Sequence, residues 1–382
     1  IQEALSELEA TGLLRRPLQI SGPQGPEIQI DGRPVLCFCS NNYLGLANHP
    51  ALVTASEGAA RNEGVGAAAS RLITGTMDAH RDAEVAYADF VHAPAAALFS
   101  SGYAANVGAI QALAGPEDTV FSDALNHASL IDGCRLSRAQ VHVYSHRDVD
   151  HLASLLREHR PHSRRALIIT DSLFSMDGVT APLRDLATVA RSFDAGLLVD
   201  EAHALGVFGP SGRGLAAAQG VRPDVVVGTL GKSFGVAGAF VAGSEEIVSL
   251  IRNRARSFVY STAPPPLVAR AAIAALQLVR GAGEARKTLL ANADRLRSQL
   301  RGLGFEVPDG DSQILPVLIG DNDRTMLLSA KLLAQGVFVQ GIRPPTVRDG
   351  TARLRLTPMA THRPEHIERA IDAFASLGEA IK

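Results

Sequence analysis

The sequence predicts an α/β fold: a large domain built on a mostly parallel sheet, followed by a small α+β C-terminal domain. Three observations predict it. From about residue 50 to 260, short apolar runs alternate with helical patterns, and each run ends in a polar or Gly-bearing turn. A long Ala/Leu/Arg-rich stretch at 264–302 then separates this region from the remainder. Beyond it, shorter strand patterns lead into a terminal helix, as in an α+β unit. The 382 residues are enough for two such domains with a large core.

The elements follow in order. Residues 1–16 read as an amphipathic helix with Leu5, Leu8, Leu13 and Leu14 on its apolar side. Residues 27–39 alternate as a hairpin around Asp31-Gly32. Apolar strands are predicted over 95–99, 141–144, 166–170, 196–199 and 225–228. The small domain is predicted to hold strands over 313–319, 337–340 and 352–356, closed by a helix from Pro364. This gives an amino-terminal segment of 1–48, a large domain of 49–265 and a small domain of 266–382. There is no internal repeat.

Bulk properties narrow the function. A formal charge of −2 and 46% hydrophobic residues argue against nucleic-acid or membrane partners. No apolar run approaches the roughly 20 residues that span a bilayer. The start, Ile1-Gln2-Glu3-Ala4-Leu5, forms no signal peptide, and the missing Met reads as a trimmed start. Three cysteines make no disulfide framework; Cys37 and Cys39 share one face of a strand, Cys134 is remote, and no metal centre is expected. A reducing cytoplasm is the expected location.

In open α/β sheets, ligands bind beyond the carboxyl ends of the strands. Polar residues gather there. Ser100-Ser101-Gly102-Tyr103 follows one strand and opens a helix, whose N–H groups and dipole suit a phosphate. The run from Asp171 to Asp177 follows a second strand, Asp200 and His203 a third, and Thr229 and Lys232 a fourth. A strand ending in Asp-x-x-His, then one ending in Lys, is what pyridoxal phosphate needs. The amine bonds to its aldehyde carbon, the carboxylate holds its pyridine nitrogen protonated, and the imidazole reaches its ring hydroxyl. Singly, each residue has a plainer reading: a surface lysine, a turn aspartate, a helix cap at Asn126-His127-Ala128-Ser129, a turn at Gly102. Their coincidence in this order carries the inference. Two other motifs fail. Gly228-x-x-Gly231-Lys232-Ser233 lacks the P-loop's first glycine, since position 226 is Val. Gly64-x-Gly66-x-x-Ala69 follows a helical pattern, not the strand a dinucleotide site requires.

Ser40-Asn41-Asn42-Tyr43-Leu44-Gly45-Leu46, the run Ser70 to His80, His127-Ala128-Ser129-Leu130, Phe174-Ser175-Met176-Asp177-Gly178, Asp200-Glu201-Ala202-His203, the run Gly228 to Gly235, Tyr260-Ser261-Thr262 and Arg353-Leu354-Arg355-Leu356-Thr357 complete the pattern. Through these the chain resembles the α-oxoamine synthases over nearly its whole length. Those are pyridoxal phosphate-dependent transferases of fold type I, aspartate aminotransferase-like, that condense an amino acid with an acyl thioester and release CO2. Within the family, the run Gly341 to Val347 looks most like the branch of biotin synthesis that joins L-alanine to a pimeloyl group on coenzyme A or a carrier protein. The resemblance implies that Lys232 holds the cofactor and acts as base, Asp200 pairs with the pyridine nitrogen, His203 and Ser175 lie at the ring oxygen, and His127 stacks on the ring. It implies phosphate contacts from the backbone of Gly102 and Tyr103 and the hydroxyls of Thr229 and, from a neighbouring subunit, Thr262. It implies substrate contacts from Arg15, Asn41 and Ser70, the last across a homodimer with shared sites, and a carboxylate clamp at Arg355. Arg343, ahead of Pro344-Pro345, is the candidate cation for the distal pimeloyl carboxylate. Asp171 stands where many relatives carry Glu. Rival readings are other family members (5-aminolevulinate, aminoketobutyrate or sphingoid-type synthases), an aminotransferase and a non-catalytic scaffold subunit.

Overall fold

The computed structural model describes residues 1–377, and the chain divides into two units. The smaller gathers residues 1–48, 175–179 and 284 onward; the larger holds 49–174 and 180–283.

The amino-terminal helix spans only Gln2–Ala10, with no buried residue, because Gly12 adopts a φ of +67° and turns the chain. The predicted continuation to residue 16 therefore fails. Next come strands β1 (Ile20–Ser21), β2 (Glu27–Ile30) and β3 (Arg33–Cys37). The β2–β3 hairpin closes at Asp31 and Gly32, both at positive φ (49° and 74°), the backbone that a two-residue Asp-Gly loop favours.

The larger unit carries strands β4 (Ala95–Phe99), β5 (Thr119–Asp123), β6 (Gln140–Tyr144), β7 (Ala166–Asp171), β8 (Gly196–Asp200), β9 (Val225–Thr229) and β10 (Ala239–Gly243) in the order β4-β10-β9-β8-β7-β5-β6. All the pairings are parallel except those of β10, which runs antiparallel to both neighbours. Strands β4, β7, β9 and β10 are buried throughout, as expected of a sheet covered on both faces. Helix Gly102–Leu113 packs its Ala105, Ala109 and Ile110 into the core formed with Val120, Ile169 and Val227. Strands β5 and β10 went unpredicted: Thr119-Val120-Phe121-Ser122-Asp123 is half polar, and Ala239–Gly243 follows a glycine-rich turn.

The stretch predicted as one helix over 264–302 is two, Pro266–Gly281 and Gly283–Gly302. Gly281-Ala282-Gly283 is a weak helix former, and the break falls there. Helix Pro266–Gly281 packs on helices Pro50–Asn62 and Asp78–Val91, so it joins the larger unit, and the division falls after 283 instead of after 265. The smaller unit resumes with β11 (Leu315–Gly320), β12 (Val337–Phe338), β13 (Gln340–Ile342) and β14 (Ala352–Leu356). Strands β11, β14 and β13 form an antiparallel sheet, while β12 pairs parallel with β3. Leu36 and Phe38 from the amino end share one core with Leu315, Leu354, Leu356 and Phe374. Among the described residues no helix is long and apolar enough to cross a membrane.

Candidate active site

Sheet direction positions the site. Strands β4, β5, β7, β8 and β9 all point the same way, so their carboxyl ends share one edge. Register fixes the neighbours: Asp171 lies opposite Asp200, and Ala239 opposite both Thr229 and Phe99.

Lys232 stands in the turn after β9, half-buried, with its Nζ 2.7 Å from His203 Nε2. Asp200, at the end of β8, is only 4% exposed. Its Oδ1 accepts the Ala202 N–H at 2.8 Å, and its Oδ2 accepts Asn106 Nδ2 at 2.7 Å. Asp171 lies beside it, and burial, then the neighbouring Asp200 charge, push the Asp171 carboxyl well above the usual carboxylate range. Its Oδ2 accepts the backbone N–H of His127 at 2.7 Å, so the short aspartate reaches the segment that carries that histidine. Burial pushes the His127 imidazole below its ordinary pKa, which favours the neutral ring. His127 Nδ1 faces the Ser129 hydroxyl at 2.7 Å and accepts the Ser129 N–H at 3.2 Å.

At the end of β4, Ser101 caps helix Gly102–Leu113 by accepting the Ala104 N–H at 3.1 Å. A Cβ on Gly102 would stand 3.6 Å from Thr229 Oγ1, so helix start and hydroxyl are adjacent. Thr229 Oγ1 accepts the Gly231 N–H at 3.3 Å. The Tyr103 hydroxyl donates to Asp132 at 2.5 Å, which leaves its backbone as the group that suits a phosphate. Ser70 and Thr262 face each other across a short antiparallel bridge, and the Ala263 N–H donates to Ala69 at 2.9 Å. Leu72, Ile73 and Tyr260 are exposed close by in sequence.

The smaller unit brings together a second set. Arg355, on β14 and 6% exposed, donates from Nε to the Ser175 carbonyl at 2.6 Å. Both its terminal nitrogens lie 3.4 Å from Asn41 Oδ1, which also accepts the Tyr43 hydroxyl at 3.1 Å. Ser175 thus engages Arg355 through its carbonyl. Arg343 follows β13 and is 7% exposed. Its Nη2 donates to the Leu14 carbonyl at 3.1 Å, and Nε has no partner among the described residues. Arg15 donates to the Pro344 carbonyl at 3.1 Å. Burial, then the Arg15 charge, lower the pKa of Arg343, and neither guanidinium has an ion-pair partner among the described residues. Two cations held together without an acid suit an incoming anion.

These side chains fit pyridoxal phosphate. One sheet edge offers an amine with an imidazole beside it, a buried carboxylate bound by N–H donors, a neutral histidine and a capped helix start. The sequence reading missed Asn106 and gave Ser129 no role. One signal was available: Asn106 interrupts the apolar run of Ala105, Val107 and Ala109 along one helix, and a polar side chain in such a place needs a partner.

The model of the family described as aminotransferase class I and II matches residues 33–374. An 8-amino-7-oxononanoate synthase of Geotalea daltonii is 49% identical over 383 residues, which span 99% of this chain and 98% of that protein. One from Geobacter sulfurreducens is 48% identical, over 99% of this chain and 97% of its own. Among solved structures, a serine palmitoyltransferase of S. paucimobilis with bound PLP and myriocin superposes at a TM-score of 0.93 with 33% identity, covering 100% of this chain and 97% of that one. An 8-amino-7-oxononanoate synthase of Francisella tularensis superposes at 0.78 with 27% identity, covering 91% and 98%.

Proposed function

The chain belongs to the family of class I and II aminotransferases, and from that premise we propose that it condenses L-alanine with a pimeloyl thioester in biotin synthesis. The products are 8-amino-7-oxononanoate, CO2 and the free thiol of the acyl carrier. The enzyme is a pyridoxal phosphate-dependent acyltransferase. The near full-length identity to 8-amino-7-oxononanoate synthases carries the reading.

The cofactor, when bound, supplies an electron sink for the alanine Cα. The residues around it do the rest. Lys232 would hold the cofactor, and its Nζ would serve as the base for the Cα proton; His203, 2.7 Å away, holds that amine in place. Asp200 would pair with the pyridine nitrogen, and His127 would stack on the ring. The N–H groups of Gly102 and Tyr103 and the Thr229 hydroxyl would bind the phosphate. Arg355, braced on Ser175 and Asn41, clamps the alanine carboxylate until it leaves as CO2. Arg343 and Arg15 receive the distal carboxylate of the pimeloyl chain, which would otherwise be buried unpaired. Ser70 and Thr262 serve the site of a second copy in a cytoplasmic homodimer; the exposed Leu72, Ile73 and Tyr260 support that face as a contact.

The test is direct. Purified chain loaded with pyridoxal phosphate should absorb in the visible, and borohydride should fix the cofactor to the peptide containing Lys232. With L-alanine and pimeloyl-CoA it should yield a product of the mass of 8-amino-7-oxononanoate. The high fold similarity to serine palmitoyltransferase favours a second reading, with serine and a long acyl chain. Turnover of serine with palmitoyl-CoA, and none with the first pair, would establish that one instead.

A further inference from the structure

We propose that Asn106 is a positioning residue that ties the ring-nitrogen acid Asp200 to the stacking histidine His127 through Ser129. This rests on the reading of the site given above and extends it to residues with no assigned role. The four side chains form one chain of hydrogen bonds. Asn106, 1% exposed, donates from Nδ2 to Asp200 Oδ2 at 2.7 Å and to Ser129 Oγ at 2.9 Å. Ser129, fully buried, has its Oγ 2.7 Å from His127 Nδ1.

Chemistry fixes each direction. A carboxylate only accepts, so Asn106 must turn its NH2 group toward Asp200, and that group's two hydrogens serve the two partners. Its Oδ1 is left buried without a partner among the described residues, so the side chain is committed to donating on this side. Ser129 Oγ, receiving from Asn106, spends its own hydrogen on His127 Nδ1. The Ser129 N–H points at the same nitrogen at 3.2 Å. His127 Nδ1 is therefore an acceptor, and the ring's proton sits on Nε2. Burial keeps that ring neutral by lowering its pKa. The relay sets the direction of the Asp200 carboxylate and the tautomer of His127. It starts one helical turn beyond Gly102, where the phosphate is held, so a single helix, Gly102–Leu113, would align both ends of the cofactor.

The experiment uses the full chain labelled with 15N-histidine, before and after loading with pyridoxal phosphate. In the parent, His127 should read as neutral with its proton on Nε2. Asn106→Ala should move that signal toward exchange between tautomers and raise the Kd for pyridoxal phosphate by roughly tenfold, the loss of one charged hydrogen bond. Ser129→Ala, which cuts only the histidine limb, should move the His127 signal while leaving the Kd within about twofold of the parent. It also serves if Asn106→Ala fails to fold. A His127 signal or a Kd unchanged in Asn106→Ala overturns the relay, as does an unchanged His127 signal in Ser129→Ala. If instead the parent takes up no cofactor at Lys232, the reading of the site fails; the His127 signal read before loading still tests the histidine limb separately.

Discussion

Single side chains at the sheet edge decide what can react. In the proposed site Asp200 would meet the pyridine nitrogen as a carboxylate, which an amide of the same shape cannot replace. Asp200→Asn should keep part of the cofactor but slow exchange of the alanine Cα proton for deuterium by about a hundredfold or more, as read by proton NMR. Exchange at the parent rate would remove Asp200 from this role. At Arg343, Arg343→Ala should raise the KM for pimeloyl-CoA by about ten- to a hundredfold and leave that for alanine nearly unchanged. Equal losses on pimeloyl and on a neutral acyl chain of the same length would mark it as a brace. The gathering of Lys232, Asp200 and His203 at one sheet edge was legible because ionisable residues at successive strand ends are chemically conspicuous. Asn106 was not: it lies inside a helix, and its value depends on Ser129 and Asp200, distant in sequence, converging on it.

Whole elements hold those side chains by close packing. On β9, a Cβ on Gly228 would come within 2.4 Å of the Phe240 ring and 2.5 Å of Leu205, so this strand admits no side chain there. Gly228→Val should therefore destabilise by about 1–3 kcal/mol in urea titration, and should lower cofactor occupancy too, since Thr229 ends the same strand and Lys232 stands in the turn after it. A stability within error of the parent would show that β9 can shift. Elements with strong local signals were legible, such as the Asp31-Gly32 hairpin and the apolar runs of β4, β7, β8 and β9. Strand β5 was not, because it gains its place from β6 and β7 on either side and not from its own composition. The joint between helices Pro266–Gly281 and Gly283–Gly302 was hidden by the helical composition that continues on both sides of it.

Across the molecule, the smaller unit is closed by residues from opposite ends of the chain. His362 stacks on Phe38 with ring centroids 4.1 Å apart and accepts the Met359 N–H at 2.8 Å. Burial, then nearby His366, lower its pKa from 6.5 to about 3. Between those values the unfolded chain binds a proton that the folded chain refuses. Its contribution to stability is thus complete above about pH 6.5 and is lost as pH falls toward 3. His362→Asn keeps an acceptor for Met359 but cannot titrate. It should cost about 1–2 kcal/mol at pH 7, through the lost ring stack, and flatten the fall in stability between pH 7 and 4.5. Denaturant midpoints across that range would check it, and an unchanged slope would clear His362. This closure was invisible in sequence, where 1–48 read as a segment apart; the pairing of β3 with β12 and the core shared through Leu36 and Phe38 show where it belongs.

That pairing also sets a timetable. A ribosome releases β3 first, and β12 emerges about three hundred residues later, which takes roughly 15–60 s at ordinary rates of translation. Throughout that interval the outer edge of β3 is an open template, with Val35, Leu36 and Cys37 still unhoused. The larger unit's sheet is complete by Gly243 and need not wait. The newborn enzyme thus carries its larger unit finished while one edge of its first-made hairpin stays open, and that edge is where a holding chaperone would find work.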